Sequence, residues 1–393
     1  MPVTDLPFEI SEYDTRITRT RAAMQEAGAD VIVVSDPANM AWLTGYDGWS
    51  FYVHQAVILP MAGPPLWWGR GIDALGAKRT VMMPDTFIHG YDDTYVQNPE
   101  KHPMEDLARL LADNGWSGAN IGLEMDNYYF SAAAFLSLQS ALSSATFRNV
   151  NGLVNWQRCV KSPAEITFMR RAARIVEKMH ATILEHARPG LPKNALVAEI
   201  SHAGITGADG HWGDYPSIVP LAPSGADATA PHLTWNAAPM KEGEATFFEI
   251  AGVYRRYHAP QSRTLFLGEP PDRYRRAEAA VLEAVDAGLA QARPGNTTGD
   301  IARAFNGALN RLGFEKDNRC GYSIGLSYPP DWGERTFSLR SGDTTVLTPG
   351  MTFHFMPALW LDDGGIEITE PVLITDDGAE CLCTTPRELM VKT

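Results

Sequence analysis

The sequence predicts two successive units of mixed helix and strand: an α/β unit over residues 1–155 and an α+β unit over residues 156–393. Three observations carry that expectation. At 393 residues the chain exceeds the size at which a single core stops growing. Its first 150 residues alternate between helical and strand periodicity. Then Lys161-Ser162-Pro163-Ala164-Glu165-Ile166 brings a serine cap, a proline at the first helical position and a glutamate at the third, the opening of a new long helix.

Taken in order, Glu12 to Ala27 has helical spacing, Asp30 to Val34 is an apolar β-branched run, and Asp36-Pro37 reads as a turn. Ala56 to Leu59 and Pro64 to Trp68 read as short strands, and Pro103 to Asn114 as a helix feeding the strand Asn120 to Leu123. In the second unit Ile166 to Ala187 is amphipathic, Lys193 to Ala203 is a second helix and Tyr274 to Ala292 a third. Strands are expected at Thr246 to Ile250, Arg263 to Leu267, Met351 to Pro357 and Ile366 to Ile374, giving helices over a curved antiparallel sheet.

A hydrophobic content of 45% and a charged content of 20% suit an ordinary globular enzyme. The net charge of −14 argues against a nucleic-acid partner, because no excess of Lys and Arg exists to neutralise phosphates. It suits a cationic or zwitterionic small molecule, although acidic composition is also common without any such reason. Cys159, Cys320, Cys381 and Cys383 show no metal spacing and no secreted framework, so a reducing cytoplasm is expected. Met1 to Glu12 lacks the apolar run of a signal peptide, and no stretch approaches the ~20 apolar residues of a membrane helix.

Residues with chemistry concentrate in the second unit. His232 ends the polar stretch from Gly225 to Ala230 and Pro231, where a loop delivers it. A histidine there can accept and return a proton near neutral pH, or can simply be a surface residue. Glu249 is an acid within the apolar run Phe247-Phe248-Glu249-Ile250-Ala251. Burying a carboxylate costs on the order of several kcal/mol unless it is paired or protonated, yet period two allows Glu249 to face either a site or solvent. Glu367 and Glu370 flank Thr369 on a further strand, with Glu367 ranked first. Trp49, Phe51, Tyr52 and His54 cluster in one stretch, and Tyr328, Asp331, Trp332 and Trp360 lie in or beside the sheet blocks. Aromatic faces with carboxylates suit a delocalised cation; each tryptophan alone is better explained by packing in a core or dimer interface.

In order and spacing, Ala230-Pro231-His232-Leu233, Phe248-Glu249-Ile250-Ala251-Gly252, Ser262-Arg263-Thr264, Gly321-Tyr322-Ser323-Ile324-Gly325, Pro349-Gly350-Met351-Thr352-Phe353 and Gly365-Ile366-Glu367 resemble the pita-bread family of methionine and prolyl aminopeptidases. Asp36-Pro37-Ala38-Asn39-Met40 through Gly45 resembles the creatinase and prolidase amino-terminal domain. The resemblance implies a C-terminal pita-bread domain preceded by a smaller α/β creatinase-type domain. In that family two aspartates, a histidine and two glutamates hold two metal ions. Here the first four positions read Glu249, Pro260, Tyr322 and Met356, and the last falls nearest Thr369. Proline and methionine do not hold a hard divalent cation, so an enzyme with no metal and no other cofactor is expected.

Longer runs, Phe248 to Gly252 with Arg256-Tyr257-His258, Gly325 to Thr336, and Thr352 to Pro357, are similar to the ectoine hydrolases. That resemblance implies hydrolytic opening of a cyclic amidine, ectoine or 5-hydroxyectoine, to N-acetyl-2,4-diaminobutyrate, which a companion deacetylase would consume. An amidinium ring is cationic and electrophilic at its central carbon, so Glu249 is expected to meet that carbon, as base for water or as nucleophile, and His232, which resembles the catalytic base of creatinase, to deliver the proton to the departing nitrogen. Glu367 would complete the site, and His54, Tyr322 or His354 would meet the substrate carboxylate. Trp49, Phe51, Tyr52 and His54 occupy the stretch that in creatinase-like homodimers reaches into the partner's site. The rivals are a metal-dependent Xaa-Pro dipeptidase, a peptide-binding pita-bread domain without catalysis, and creatinase itself, disfavoured because creatinase has a glutamate where this chain has Ser262.

Overall fold

A computed structural model of the chain describes residues 6–393. The expectation of no signal peptide in Met1 to Glu12 falls partly on residues 1–5, outside the described residues. Two compact units meet after Arg158, the second running from Cys159 to Thr393.

In the first unit, β1 (Val31–Val34), β2 (Ala56–Pro60), β3 (Leu66–Arg70), β4 (Ile88–Tyr91), β5 (Asn120–Leu123) and β6 (Thr146–Asn149) form one sheet in the order β4-β3-β2-β1-β5-β6. β2 runs antiparallel to both neighbours, while β1, β5 and β6 are mutually parallel. The continuous apolar runs of β1 and β2 follow from burial on both faces. Ile32, Val34, Val57 and Leu59 join one apolar cluster, and Val31, Val33, Ala56 and Ile58 join the other. Helix Ile10–Ala27 covers the first face through Ile17 and Met24, and helix Pro103–Asp113 covers the second through Met104, Leu107 and Leu111. Asp36-Pro37 does not make a free turn. The Asp36 carboxylate accepts from the backbone of Ala38 and Asn39, Pro37 takes the first helical position, and the pair opens helix Pro37–Thr44.

The second unit is built on a long antiparallel pair, β7 (Ala245–Tyr254) and β8 (Tyr257–Leu267), extended by β16 (Met390–Lys392). Arg255 and Arg256, both with positive φ, make the tight connection between them. A second sheet runs β10-β9-β11-β14-β15, made of β9 (Gly321–Ile324), β10 (Gly333–Ser338), β11 (Thr352–Phe355), β14 (Glu370–Ile374) and β15 (Ala379–Cys381). A ribbon of β12 (Ala358–Leu361) and β13 (Gly364–Glu367) completes the strands. The bridges Tyr257–Leu326 and Arg263–Ile368 tie β8 to the rest.

Helix Pro163–His186 packs on β7 and β8, and Gly252 is what lets it approach: a Cβ there would meet the Ala172 carbonyl oxygen at 2.1 Å and the Val176 nitrogen at 2.5 Å. The capping box at its start forms as expected, with Ser162 and Glu165 exchanging bonds to each other's backbone. Helices Asp272–Leu289 and Thr298–Arg311 bury Val281, Ala284 and Phe305 against Phe353, Phe355 and Val372 of the second sheet.

The single strand expected over Ile366 to Ile374 is two strands. β13 pairs with β12 and β14 with β11, and the chain changes partner at Ile368 and Thr369, where Ile368 turns to Arg263. That break separates Glu367 from Glu370.

Candidate active site

The register of β7 against β8 sets Glu249 opposite Ser262 and Phe247 opposite Thr264, so these four share one face. Gln261 and Arg263 take the other. Arg263 is fully buried: its guanidinium binds Glu370 at 2.5 Å, the Thr369 carbonyl at 2.6 Å and the Pro386 carbonyl at 2.8 Å. Gln261 donates to the second Glu370 oxygen at 3.1 Å. Glu370 is thereby occupied behind the sheet.

Glu367 lies in front of it. β13 runs along β8 with the Thr264 hydroxyl accepting from the Glu367 nitrogen at 2.8 Å and donating to the Glu367 carbonyl at 3.2 Å. The Glu367 side chain is buried, and Oε2 has no hydrogen-bond partner among the described residues. Burial raises its pKa to about 7 against the opposing pull of Ser262 and Lys316. Glu249 is also buried, and its carboxyl is held well above the usual range by desolvation first, then by Glu367 and Asp331, with Lys316 opposing. Two carboxyl groups desolvated beside one another do not both ionise at neutral pH, so the pair keeps a proton there.

Around the acids stands a buried string of hydrogen bonds. Trp332 Nε1 donates to Tyr322 Oη at 2.7 Å, Tyr322 Oη lies 3.3 Å from His354 Nδ1, and His354 Nε2 lies 2.7 Å from Thr369 Oγ1. Thr369 Oγ1 also accepts the Ser262 backbone N–H at 2.6 Å. Burial, with Arg319 nearby, pushes His354 down to about 3, so it is a neutral imidazole. Burial, then Glu249, holds the Tyr322 phenol well above its usual pKa.

The other expected residues distribute as follows. The Asp331 carboxylate accepts from the Gly333 nitrogen at 2.9 Å, and Tyr328 is buried with the Arg256 guanidinium 5.4 Å from its ring centre. Trp360 is half-buried 5.7 Å from the Phe247 ring, in a cluster with Leu221 and Ala228. The turn Gly225–Thr229 seats on Gly365, where a Cβ would meet the Ala228 carbonyl at 2.5 Å. His232, three residues beyond that turn, is exposed and stands outside the hydrogen-bonded string. Trp49, Phe51, Tyr52 and His54 belong to the amino-terminal unit. Trp49 is 57% and Tyr52 70% exposed, the Phe51 ring lies tilted 4.9 Å from Trp49 and edge-on 5.7 Å from Tyr129, and His54 packs against His102 and is pushed down to about 4 by burial.

Lys316 was not expected. Burial lowers the pKa of its ammonium, in the loop before β9, against the pull first of Glu367 and, more weakly, of Glu249. Glu315-Lys316-Asp317 is an ordinary charged loop in the sequence and gives no sign of this.

Residues 16–160 match the creatinase/prolidase N-terminal domain, and residues 167–376 match the metallopeptidase family M24. The chain belongs to the metallopeptidase family M24. Within curated M24 relatives it is 57% identical to the ectoine hydrolase of Halomonas elongata, over 98% of this chain and 99% of that one. It is 40% identical to the uncharacterized hydrolase/peptidase y4tM of Sinorhizobium fredii, again over 98% and 99%. Among solved structures it is similar to the dipeptidase PepE of Mycobacterium ulcerans, with a TM-score of 0.80, 23% identity and 98% and 99% of the two chains covered. The prolidase of Thermococcus sibiricus gives a TM-score of 0.84 at 19% identity, covering 97% and 99%. The M24 fold is therefore the expected one, a creatinase-type domain followed by a pita-bread domain.

The M24 family implies divalent metal ions, and the residues at the expected ligand positions do not fit them. Pro260 has no donor, Met356 offers a thioether, the Tyr322 phenol keeps its proton, and the Thr369 hydroxyl is taken up by His354 and Ser262. Among the described residues no group of three or more His, Cys, Asp or Glu is arranged to hold a metal ion. One carboxylate from five positions is a poor host for two hard cations.

Proposed function

We propose that the chain is a metal-independent hydrolase that opens the cyclic amidine ring of ectoine, and of 5-hydroxyectoine, to N-acetyl-2,4-diaminobutyrate. The near full-length likeness to the Halomonas elongata ectoine hydrolase carries the substrate assignment. The buried acids supply the chemistry. An amidinium is a planar cation whose central carbon is already electrophilic, so it needs a carboxylate and a proton donor more than a Lewis acid.

In this reading the cation enters opposite Glu249 and Glu367, drives the shared proton off and leaves Glu249 ionised at the ring carbon, as base for water or as nucleophile. Tyr328, Trp332 and Trp360 give the ring aromatic surface, and Asp331 adds negative charge. His232, on the loop that follows the turn seated against β13, returns the proton to the departing nitrogen. A second copy of the chain would close the site with Trp49, Phe51, Tyr52 and His54. The product, an N-acetylated diamino acid, suits a deacetylase as the next enzyme. A cytoplasmic site of action fits four cysteines that are all unpaired.

The test is direct. Protein stripped with chelator and incubated with ectoine, creatine and a Gly-Pro dipeptide should consume only ectoine, as followed by amine-detecting chromatography. Glu249→Gln should lower turnover by far more than tenfold, a barrier change above about 1.4 kcal/mol. Dipeptide cleavage restored by added metal, or a Glu249→Gln enzyme within tenfold of the parent, would overturn the assignment.

A further inference from the structure

Counting protons along the string from Trp332 to Ser262 shows what it does. Both end groups only donate: the Trp332 indole N–H to Tyr322 Oη and the Ser262 backbone N–H to Thr369 Oγ1. Between them lie two contacts, Tyr322 to His354 and His354 to Thr369. A neutral imidazole has one N–H, so the interior holds three protons, one on each hydroxyl and one on the ring, for two contacts. One proton is left over. It leaves from Thr369 if His354 carries its hydrogen on Nε2, and from Tyr322 if it carries it on Nδ1.

The surroundings decide between the two. Thr369 is 1% exposed, and among the described residues its hydroxyl has no partner beyond Ser262 and His354, so a proton aimed out of it would be buried without an acceptor. The Tyr322 ring and the Asp331 carboxylate flank Gly333, each 3.3 Å from where a Cβ there would stand, and the charges of Glu249 and Asp331 both bear on the phenol. Full satisfaction of the string therefore has the Thr369 hydroxyl donating to Nε2, Nδ1–H donating to Tyr322 Oη, and the phenol proton directed into the space before Glu249.

We propose that Tyr322 is a catalytic residue whose hydroxyl donates a hydrogen bond to the reacting centre, and that His354 and Thr369 are positioning residues that aim it. This rests on the amidine reading above. In an amidinium both ring nitrogens are donors, so the phenol finds no acceptor on the reacting atoms of the bound substrate. Addition at the central carbon creates an oxygen and a nitrogen lone pair, and the phenol gains a partner at that moment. A donor satisfied only in the adduct raises kcat and leaves KM alone. The phenol keeps its proton throughout.

Two measurements test it. In full-length protein labelled with ¹⁵N-histidine, the His354 resonances, assigned by their loss in His354→Gln, should report the Nδ1–H tautomer. Tyr322→Phe should lower kcat on ectoine about 10²-fold with KM within about threefold, and Thr369→Val should lower kcat roughly tenfold with the same split, folding being checked by melting curves. An Nε2–H tautomer in the parent, or a Tyr322→Phe enzyme with raised KM and unchanged kcat, overturns the proposal. A parent inactive on ectoine sinks the functional reading alone, because the tautomer decides the aim of the string without substrate.

Discussion

Glu249 and Glu367 ionise against one another, and each reports on the other's proton. Desolvation is the larger cause of the raised Glu249 pKa and Glu367 the next. Glu367→Gln removes the second cause, so the acid limb of the kcat/KM profile should move to lower pH even if the rate itself falls; a limb that stays in place would mean the two acids titrate independently. The sequence made Glu249 legible because an acid inside an apolar strand has few reasons to be there. It ranked Glu367 over Glu370 because Glu367 shares a face with Thr369 on an extended strand, whereas the feature that separates the two acids in the fold is the partner change at Ile368 and Thr369, a long-range event. Lys316 was illegible for the same reason: a lysine in a charged loop becomes part of a site only through what folds around it.

At the scale of elements, amphipathic helices and apolar strands were read nearly in place. Helix Pro37–Thr44 was passed over because Asp36-Pro37, which caps and opens it, was read as a turn, and helix Thr298–Arg311 was passed over although Thr297 caps it. β7 and β8 run several residues beyond their apolar cores, since long antiparallel pairing carries polar residues such as Gln261 and Arg263 into the ladder. Packing density sets one firm expectation here. Gly252→Ala would drive a methyl into the backbone of helix Pro163–His186, and its cost should be about 1–3 kcal/mol or more, read from denaturant melts. Unchanged stability would mean that the helix does not seat on β7 at this point.

Over the whole molecule the buried titratable groups pull in opposite directions. His180, His258 and His354 are pushed down to about 3, and His54 to about 4, each by burial above all. Unfolded imidazole takes its proton near ~6.5, so between about 6.5 and 3 the unfolded chain binds more protons and stability falls as pH falls. Glu124 and Glu367, raised to about 7 by burial, act the other way: the folded chain holds their protons, and stability falls as pH rises from about 4.5 to 7. The two sets oppose each other between about pH 4.5 and 6.5, four histidines against two glutamates, and below that the histidines act unopposed and are joined by Asp300, which is held down to about 2 by its hydrogen bonds to Thr297. The melting temperature should fall gently across that window and steeply toward pH 3; a flat profile down to pH 3 would show that the imidazoles are not held neutral by the fold. The fold class itself was legible because block order and spacing survive where individual ligands do not. The alternation along β8 gives that survival a mechanical basis. Its Gln261 and Arg263 side is clamped by Glu370, while Ser262 on the opposite side stands across from Glu249, so a lineage can rewrite its chemistry by single substitutions on one side of a strand while the other keeps the scaffold upright.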